Sequence, residues 1–285
     1  MVAITSIVLT LLVPQGFVAQ TKTILPEAIT YAVANSFNNT ANLVHVVIET
    51  SLGTSNNSLD FLDALDNLLG DDNWSFRLQI DVNNKNIRPA SDHNLWFINS
   101  YEAFRRLFPL IENYHRDSQL FLIIVLKCAK AVQGHLFVMQ KIFSDLLRLM
   151  IANVNILIKD GSKGVSFYTF YPFQEFACRS AKPFKMYTFH QNSFHNNNVL
   201  LFPTKTNNLY KCSLRLKTRN NNILNLKKIE VFGLEAFITT ELASKMNFTY
   251  DIINAYDKEH FLPNENSSGP HPSVGISIFL VSISF

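Results

Sequence analysis

Along residues 20–160 the apolar positions switch between continuous or alternating runs and runs spaced at three and four residues, the signature of strands interleaved with helices. Residues 45–48 read as a strand. Ser58 is placed to cap a helix running to Leu69, in which Leu59, Leu62, Leu65 and Leu69 form the inward stripe while Asp60, Asp63 and Asp66 face water. Gly70 ends it. Residues 76–82 alternate Phe76, Leu78, Ile80 and Val82 with polar positions, as a half-buried strand does. A strand over 95–98, a helix over 101–107 and an apolar run over 120–126 follow. That run is far short of the ~20 residues a membrane helix needs, so burial in a parallel sheet is its expected place. Helical spacing returns over 135–151, then a short strand over 156–158 and a turn at 160–164. The pattern predicts an α/β fold built from βαβ-like repeats.

The chain has 285 residues, of which 47% are hydrophobic and only 16% charged, so it can build real cores and is not a disordered chain. Nine glycines are present, and none falls in a dinucleotide fingerprint, a phosphate loop or a nucleophile elbow. Residues 1–19 contain no charged side chain, and 7–13 are nearly all aliphatic, which predicts a cleaved secretory leader. Export would let cysteines pair. Of the three, Cys178 and Cys212 flank one segment and are the preferred bridge, while Cys128 reads as a small buried hydrophobe; sequence alone does not fix the pairing. Asn38, Asn56, Asn73, Asn247 and Asn266 begin Asn-x-Ser/Thr triplets and are candidate glycan acceptors.

From 176 to 229 there is no Asp or Glu, while Arg179, Lys182, Lys185, Lys205, Lys211, Arg215, Lys217, Arg219, Lys227 and Lys228 are present. The formal charge of +3 therefore hides an acidic remainder. In an exported chain this reads as solvated connector and strand faces, with no nucleic-acid partner. No catalytic or metal constellation emerges. There is no Cys-x-x-Cys or His-Glu-x-x-His pair, and His190 and His195 do not align on one helical face. Asp60, Asp63 and Asp66, like Asp71 and Asp72, lack the companions of a calcium loop. Cys178, near Lys182 and Lys185, has no local base. Trp74, Trp96, Tyr168, Phe170, Tyr171 and Phe173 are expected to pack cores. No cofactor and no enzymatic activity are expected.

Three passages carry kinship: 168–180 (YTFYPFQEFACRS), 201–218 (LFPTKTNNLYKCSLRLKT) and 233–251 (GLEAFITTELASKMNFTYD). In order and spacing they resemble the divergent insect ionotropic receptors, chemosensory relatives of ionotropic glutamate receptors. Asn208, Leu209, Cys212 and the strand 214–217 are similar to the entry into that family's ligand-binding clamp. The third passage is similar to its first helix and second strand, with Leu234, Phe237, Ile238 and Leu242 as an apolar stripe, Glu235 near the start, Lys245 in the last turn and Asn247 at the stop.

The resemblance implies a Rossmann-like or periplasmic-binding-like α/β amino-terminal domain, followed by the start of a bilobed ligand-binding domain. The expected divisions are a leader over 1–19, the α/β extracellular domain over 20–175, a basic Asn-rich connector over 176–208, a partial upper lobe over 209–256 and an irregular tail over 257–285. It also implies membrane helices and a pore after that point. Residues 272–285 are apolar but too few for a span, so the expectation is the extracellular portion of a chemosensory ligand-gated channel, truncated before the pore. Receptor co-subunits and a small-molecule ligand are the implied partners, with the membrane reached only in a full-length relative. Ligand-contacting residues stay unassigned. The alternative is a freestanding secreted ligand-binding protein of periplasmic-binding-like architecture.

Overall fold

The computed structural model describes residues 24–38, 40–49, 59–70, 74–82, 92–112, 120–127, 132–160, 164–190, 193–194, 200–218 and 234–254. The leader, Cys128, Ser58 and the tail expected over 257–285 lie outside them.

Eight strands form one sheet, in the order β10-β9-β6-β5-β4-β3-β1-β2. Its parallel half comprises β1 (Leu43–Ile48), β2 (Arg77–Val82), β3 (His93–Ile98), β4 (Phe121–Leu126) and β5 (Val154–Lys159). Beside β5, the strands β6 (Val165–Thr169), β9 (Phe184–His190) and β10 (Ser193–Phe194) run antiparallel to their neighbours. Gly164 tightens the β5–β6 hairpin at φ 148°. A Cβ there would meet Phe189 O at 2.4 Å, so glycine is required for the two strands to close on β9.

Parallel strands must be covered on both faces, and here two cores do so. One packs α1 (Ile24–Phe37) and α2 (Leu59–Leu69) against Val44, Val46, Leu95, Phe97, Ile123 and Val125. The other packs α3 (Tyr101–Glu112) and α4 (Val132–Arg148) against Val47, Trp96, Ile98, Leu122, Ile124 and Leu126. Successive residues of β4 thus serve opposite cores, which is why this strand reads as an unbroken apolar run. Trp96, Phe170 and Phe173 are buried, as the sequence led us to expect; Trp74, Tyr168 and Tyr171 are half-buried at the margins of the cores.

Several local expectations shift. Of the expected inward stripe of α2, Leu65 is buried, together with Ala64 and Leu68, whereas Leu69 is 54% exposed; the side chains of Leu59 and Leu62 lie outside the description. Asp63 and Asp66 do face water. Helix α3 continues beyond 107 through Pro109, which removes the N–H that would otherwise bond to the carbonyl one turn back at Arg105. Helix α1 was not expected. Its buried side mixes Ala28 and Ala32 with Ile29, Val33 and Phe37, so the small residues that admit close packing also blur the apolar stripe. Within the segment expected as a connector, 176–208, β9 and β10 join the main sheet. Phe189 and Tyr187 pack into the first core there, and the run without a strand begins at 200.

After the connector, β11 (Ser213–Thr218), α5 (Leu234–Met246) and β12 (Thr249–Asn254) form a small parallel βαβ unit. Asn247 stops α5 in the left-handed conformation, φ 53°, as its residue type suggests. Of the expected apolar stripe, Phe237 is 64% and Ile238 41% exposed while Leu242 is half-buried; the Leu234 side chain lies outside the description. The unit is tied back through the hairpin of β7 (Phe173–Gln174) and β8 (Ala177–Cys178). Phe173, Leu209 and Cys212 share a third core with Met246 and Phe248, and Cys178 is disulfide-bonded to Cys212.

That bridge closes a loop with a sequence separation of 34, which by loop entropy is worth about 4 kcal/mol. Reduction, or Cys178→Ser, is expected to free the βαβ unit first, so that chymotrypsin cuts after residue 208 well before it cuts the eight-stranded sheet. Simultaneous digestion of both parts would contradict this.

Candidate functional site

The strand order 2-1-3-4-5 reverses direction between β1 and β3. Chain leaving β1 goes to α2 on one face, and chain leaving β3 goes to α3 on the other. In open α/β sheets a crevice forms outside the carboxyl ends of the two strands at such a point, and ligands bind there. Glu49 is the first residue past β1. Its backbone N–H donates to Phe97 O at 3.2 Å, pinning it beside the end of β3. Its side chain is 7% exposed and is paired with the guanidinium of Arg106 on α3, which is 57% exposed. One partner is therefore sealed against the sheet while the other reaches water, so the crevice carries a charge pair whose cationic half is accessible.

The amino terminus of α3 faces the same point. Ser100 caps it, its hydroxyl oxygen accepting from Ala103 N–H at 3.1 Å. Glu102 sits in the first turn, where hydrogen bonds to its own backbone N–H and to the Ser100 hydroxyl hold its carboxyl below the ordinary range. On the far side Lys127, one residue past β4, donates its backbone N–H to Ile98 O at 2.9 Å. Helix α3 is held on α4 by Tyr101, whose hydroxyl donates to Asp145 Oδ2 at 2.8 Å, and by Arg105, 3.3 Å from the same oxygen. Burial and that bond raise the Tyr101 pKa, so the phenol stays a donor through the neutral range.

A second polar group lies toward the other end of the same face. The register places Gln79 and Asn94 on either side of His45. His45 Nε2 is 2.5 Å from Asp81 Oδ2, to which Gln79 Nε2 also donates at 3.1 Å. Outside both groups, His93 is packed as an aromatic between Phe121 and Phe37, and burial lowers its pKa, keeping the ring neutral. No three His, Cys, Asp or Glu side chains among the described residues converge as a metal site would need.

The residues singled out in the sequence lie elsewhere. Cys178 and Cys212 form the bridge described above. Asn38 is half-buried, and its Oδ1 accepts from Ser75 N–H at 2.9 Å and Ser75 Oγ at 3.0 Å. Asn247 is exposed, with Nδ2 donating to Asn208 Oδ1 at 2.9 Å. Asn56, Asn73, Asn266 and His195 are outside the described residues, and His190 lies on β9, away from the crevice. Sequence reasoning missed Glu49 and Arg106. The available signal was an acidic residue directly after an apolar strand, followed by Ser100 capping an arginine-bearing helix.

The fold and crevice define a doubly wound α/β lobe of the ligand-binding kind. A family model described as "Putative ionotropic receptor, ligand binding domain" matches residues 18–208, the span that holds the whole eight-stranded sheet. The chain belongs to this family of ionotropic-receptor ligand-binding domains. No curated protein matches it.

Removing Arg106 alone takes the guanidinium away from the enclosed Glu49 carboxylate. Arg106→Ala is expected to cost about 2 kcal/mol, less than the ~3–5 of a fully buried pair because water reaches the guanidinium. Glu49→Gln with Arg106→Gln should cost less than the two single changes together. Denaturant unfolding of the four proteins measures this, and strict additivity would contradict the pairing.

Proposed function

We propose that this chain is the ligand-recognition portion of a chemosensory ionotropic receptor, working outside the cell, and that a small molecule binds in the crevice at the carboxyl ends of β1 and β3. The observation that carries the reading is the Glu49–Arg106 pair at the switch point, within the span matched by the receptor family. A ligand bearing a charged or strongly polar group competes for the exposed guanidinium, while the capped end of α3 favours negative charge beside it. Binding acts on a receptor only through different affinities for its resting and active arrangements, so what this lobe contributes is a ligand-dependent bias. Ion conduction belongs to a pore elsewhere in the assembly, and receptor co-subunits are the natural partners. No helix among the described residues is long and apolar enough to cross a membrane. We assign the chain no catalytic role, no cofactor and no nucleic-acid partner.

Thermal unfolding against a panel of amino acids, short carboxylic acids and amines tests the proposal. At least one class should raise the midpoint saturably; at 100 times its Kd a ligand adds about 2.7 kcal/mol. The Glu49→Gln, Arg106→Gln protein, with neither charge stranded, should stay folded and lose that shift. A panel without saturable stabilisation, or a shift that survives the double substitution, would contradict the assignment.

A further inference from the structure

The two edges of the eight-stranded sheet are built differently. At one, β9 carries the exposed Lys185, its register on β6 shifts between Phe167 and Tyr168, and β10 covers Phe189 and His190, all devices that keep an edge from pairing with another chain. The other edge is β2. It pairs with β1 in unbroken register from Arg77 to Val82 and contains neither Lys nor Pro. The Arg77 N–H donates to Asn42 O at 3.0 Å, so the backbone groups of Arg77, Gln79 and Asp81 turn toward β1. Those of Leu78 and Ile80 turn outward, where among the described residues no strand pairs with them.

The segment Arg77-Leu78-Gln79-Ile80-Asp81 is complementary to itself when reversed. Antiparallel pairing sets outward-facing residues opposite one another, so the central registers of β2 on a second β2 are Leu78 on Leu78, Ile80 on Ile80, or Leu78 on Ile80. Only the last places Arg77 of each copy opposite Asp81 of the other. These are non-hydrogen-bonded positions, where facing side chains come closest, and Gln79 meets Gln79 on the axis between them. Asp81 is already held in place: His45 Nε2 at 2.5 Å and Gln79 Nε2 at 3.1 Å both address Oδ2, which leaves Oδ1 for a donor from across the edge. Arg77 is exposed and has no ion pair among the described residues. On the opposite face Leu78 packs against the first core and Ile80 is 37% exposed, so pairing the two carries that core across the edge.

We propose that two copies of this chain join along β2, antiparallel about a two-fold axis at Gln79, to make one continuous sheet. The contact is isologous and therefore closes at a dimer, with no β2 edge left for a third copy. Backbone bonds exchanged by Leu78 and Ile80 supply the affinity, and the Arg77–Asp81 pairs select the register. The pairing is independent of whether the crevice takes a ligand.

Sedimentation of the full chain should show a reversible dimer in the micromolar range. Arg77→Asp should weaken it at least about tenfold, since two attractions become two repulsions. Ile80→Pro removes an N–H that points away from β1, so the chain should keep its fold, read by circular dichroism, and stay monomeric. Gln79→Cys should cross-link to its own counterpart on oxidation, as peptide mapping would locate. Amide exchange reads the edge directly: Leu78 and Ile80 should gain protection as concentration rises, while Gln79 and Asp81, turned toward β1, stay protected throughout. A chain that remains monomeric up to millimolar concentration, or a dimer that survives both Arg77→Asp and Ile80→Pro, would overturn the proposal. So would Leu78 and Ile80 amides already protected in the monomer, which would put another segment of this chain on the edge.

Discussion

A strand such as β4, with apolar side chains at every position, has no side to offer water, and parallel neighbours leave it none. Each face of β1, β3, β4 and β5 must be roofed by helices, and the right-handed connections that bring those helices fix where they go. Because α1 and α2 take one face and α3 and α4 the other, the chain must part between β1 and β3. The crevice that holds Glu49 and Arg106 is a consequence of burying the sheet. Polar residues there are spared the apolar demand that governs the strands, so the same topology that builds the core leaves room for a charge pair at the switch point.

The antiparallel half has a different role. β6 and β9 close the sheet without further helices, and the hairpin β7–β8 then reaches out to hold the βαβ unit through one disulfide and the small core of Phe173, Leu209 and Cys212. The attachment is narrow compared with the two large cores. The sheet and the unit after it are joined by one covalent clip, a small core and the single run of chain from 200 to 212.

Much of this was legible in the sequence where one principle dominated. The run over 120–126 and the middle of the α4 stripe, Met139 to Leu147, read correctly, because burial on two faces or on one stripe leaves its own period; over 76–82 the strand forms but the expected one-sided burial does not, since Ile80 is exposed, as are Leu136 and Met150 at the ends of the α4 stripe. The α/β class also came from the chain alone, and the bridge the structure forms, Cys178–Cys212, is the one the sequence preferred without fixing it. What stayed hidden depended on tertiary context. Ala28 and Ala32 are apolar enough to bury but too small to announce α1. β9 hides in a basic stretch without acidic residues because it lies near the edge of the sheet, with Phe184 and Lys185 facing water. Phe237 and Ile238 have the spacing of a buried stripe, yet no described element covers them. Glu49 and Arg106 are 57 residues apart, and nothing local links them.

The central claim is that the receptor lobe reads its ligand where the sheet divides between β1 and β3. The most direct measurement is hydrogen exchange of the whole chain with and without the compound that stabilises it most. The account predicts that protection gathers in the peptides that contain Glu49, the 99–106 turn with the first coil of α3, and Lys127. Protection confined to β9, β10 or the βαβ unit, with those three peptides unchanged, would contradict it.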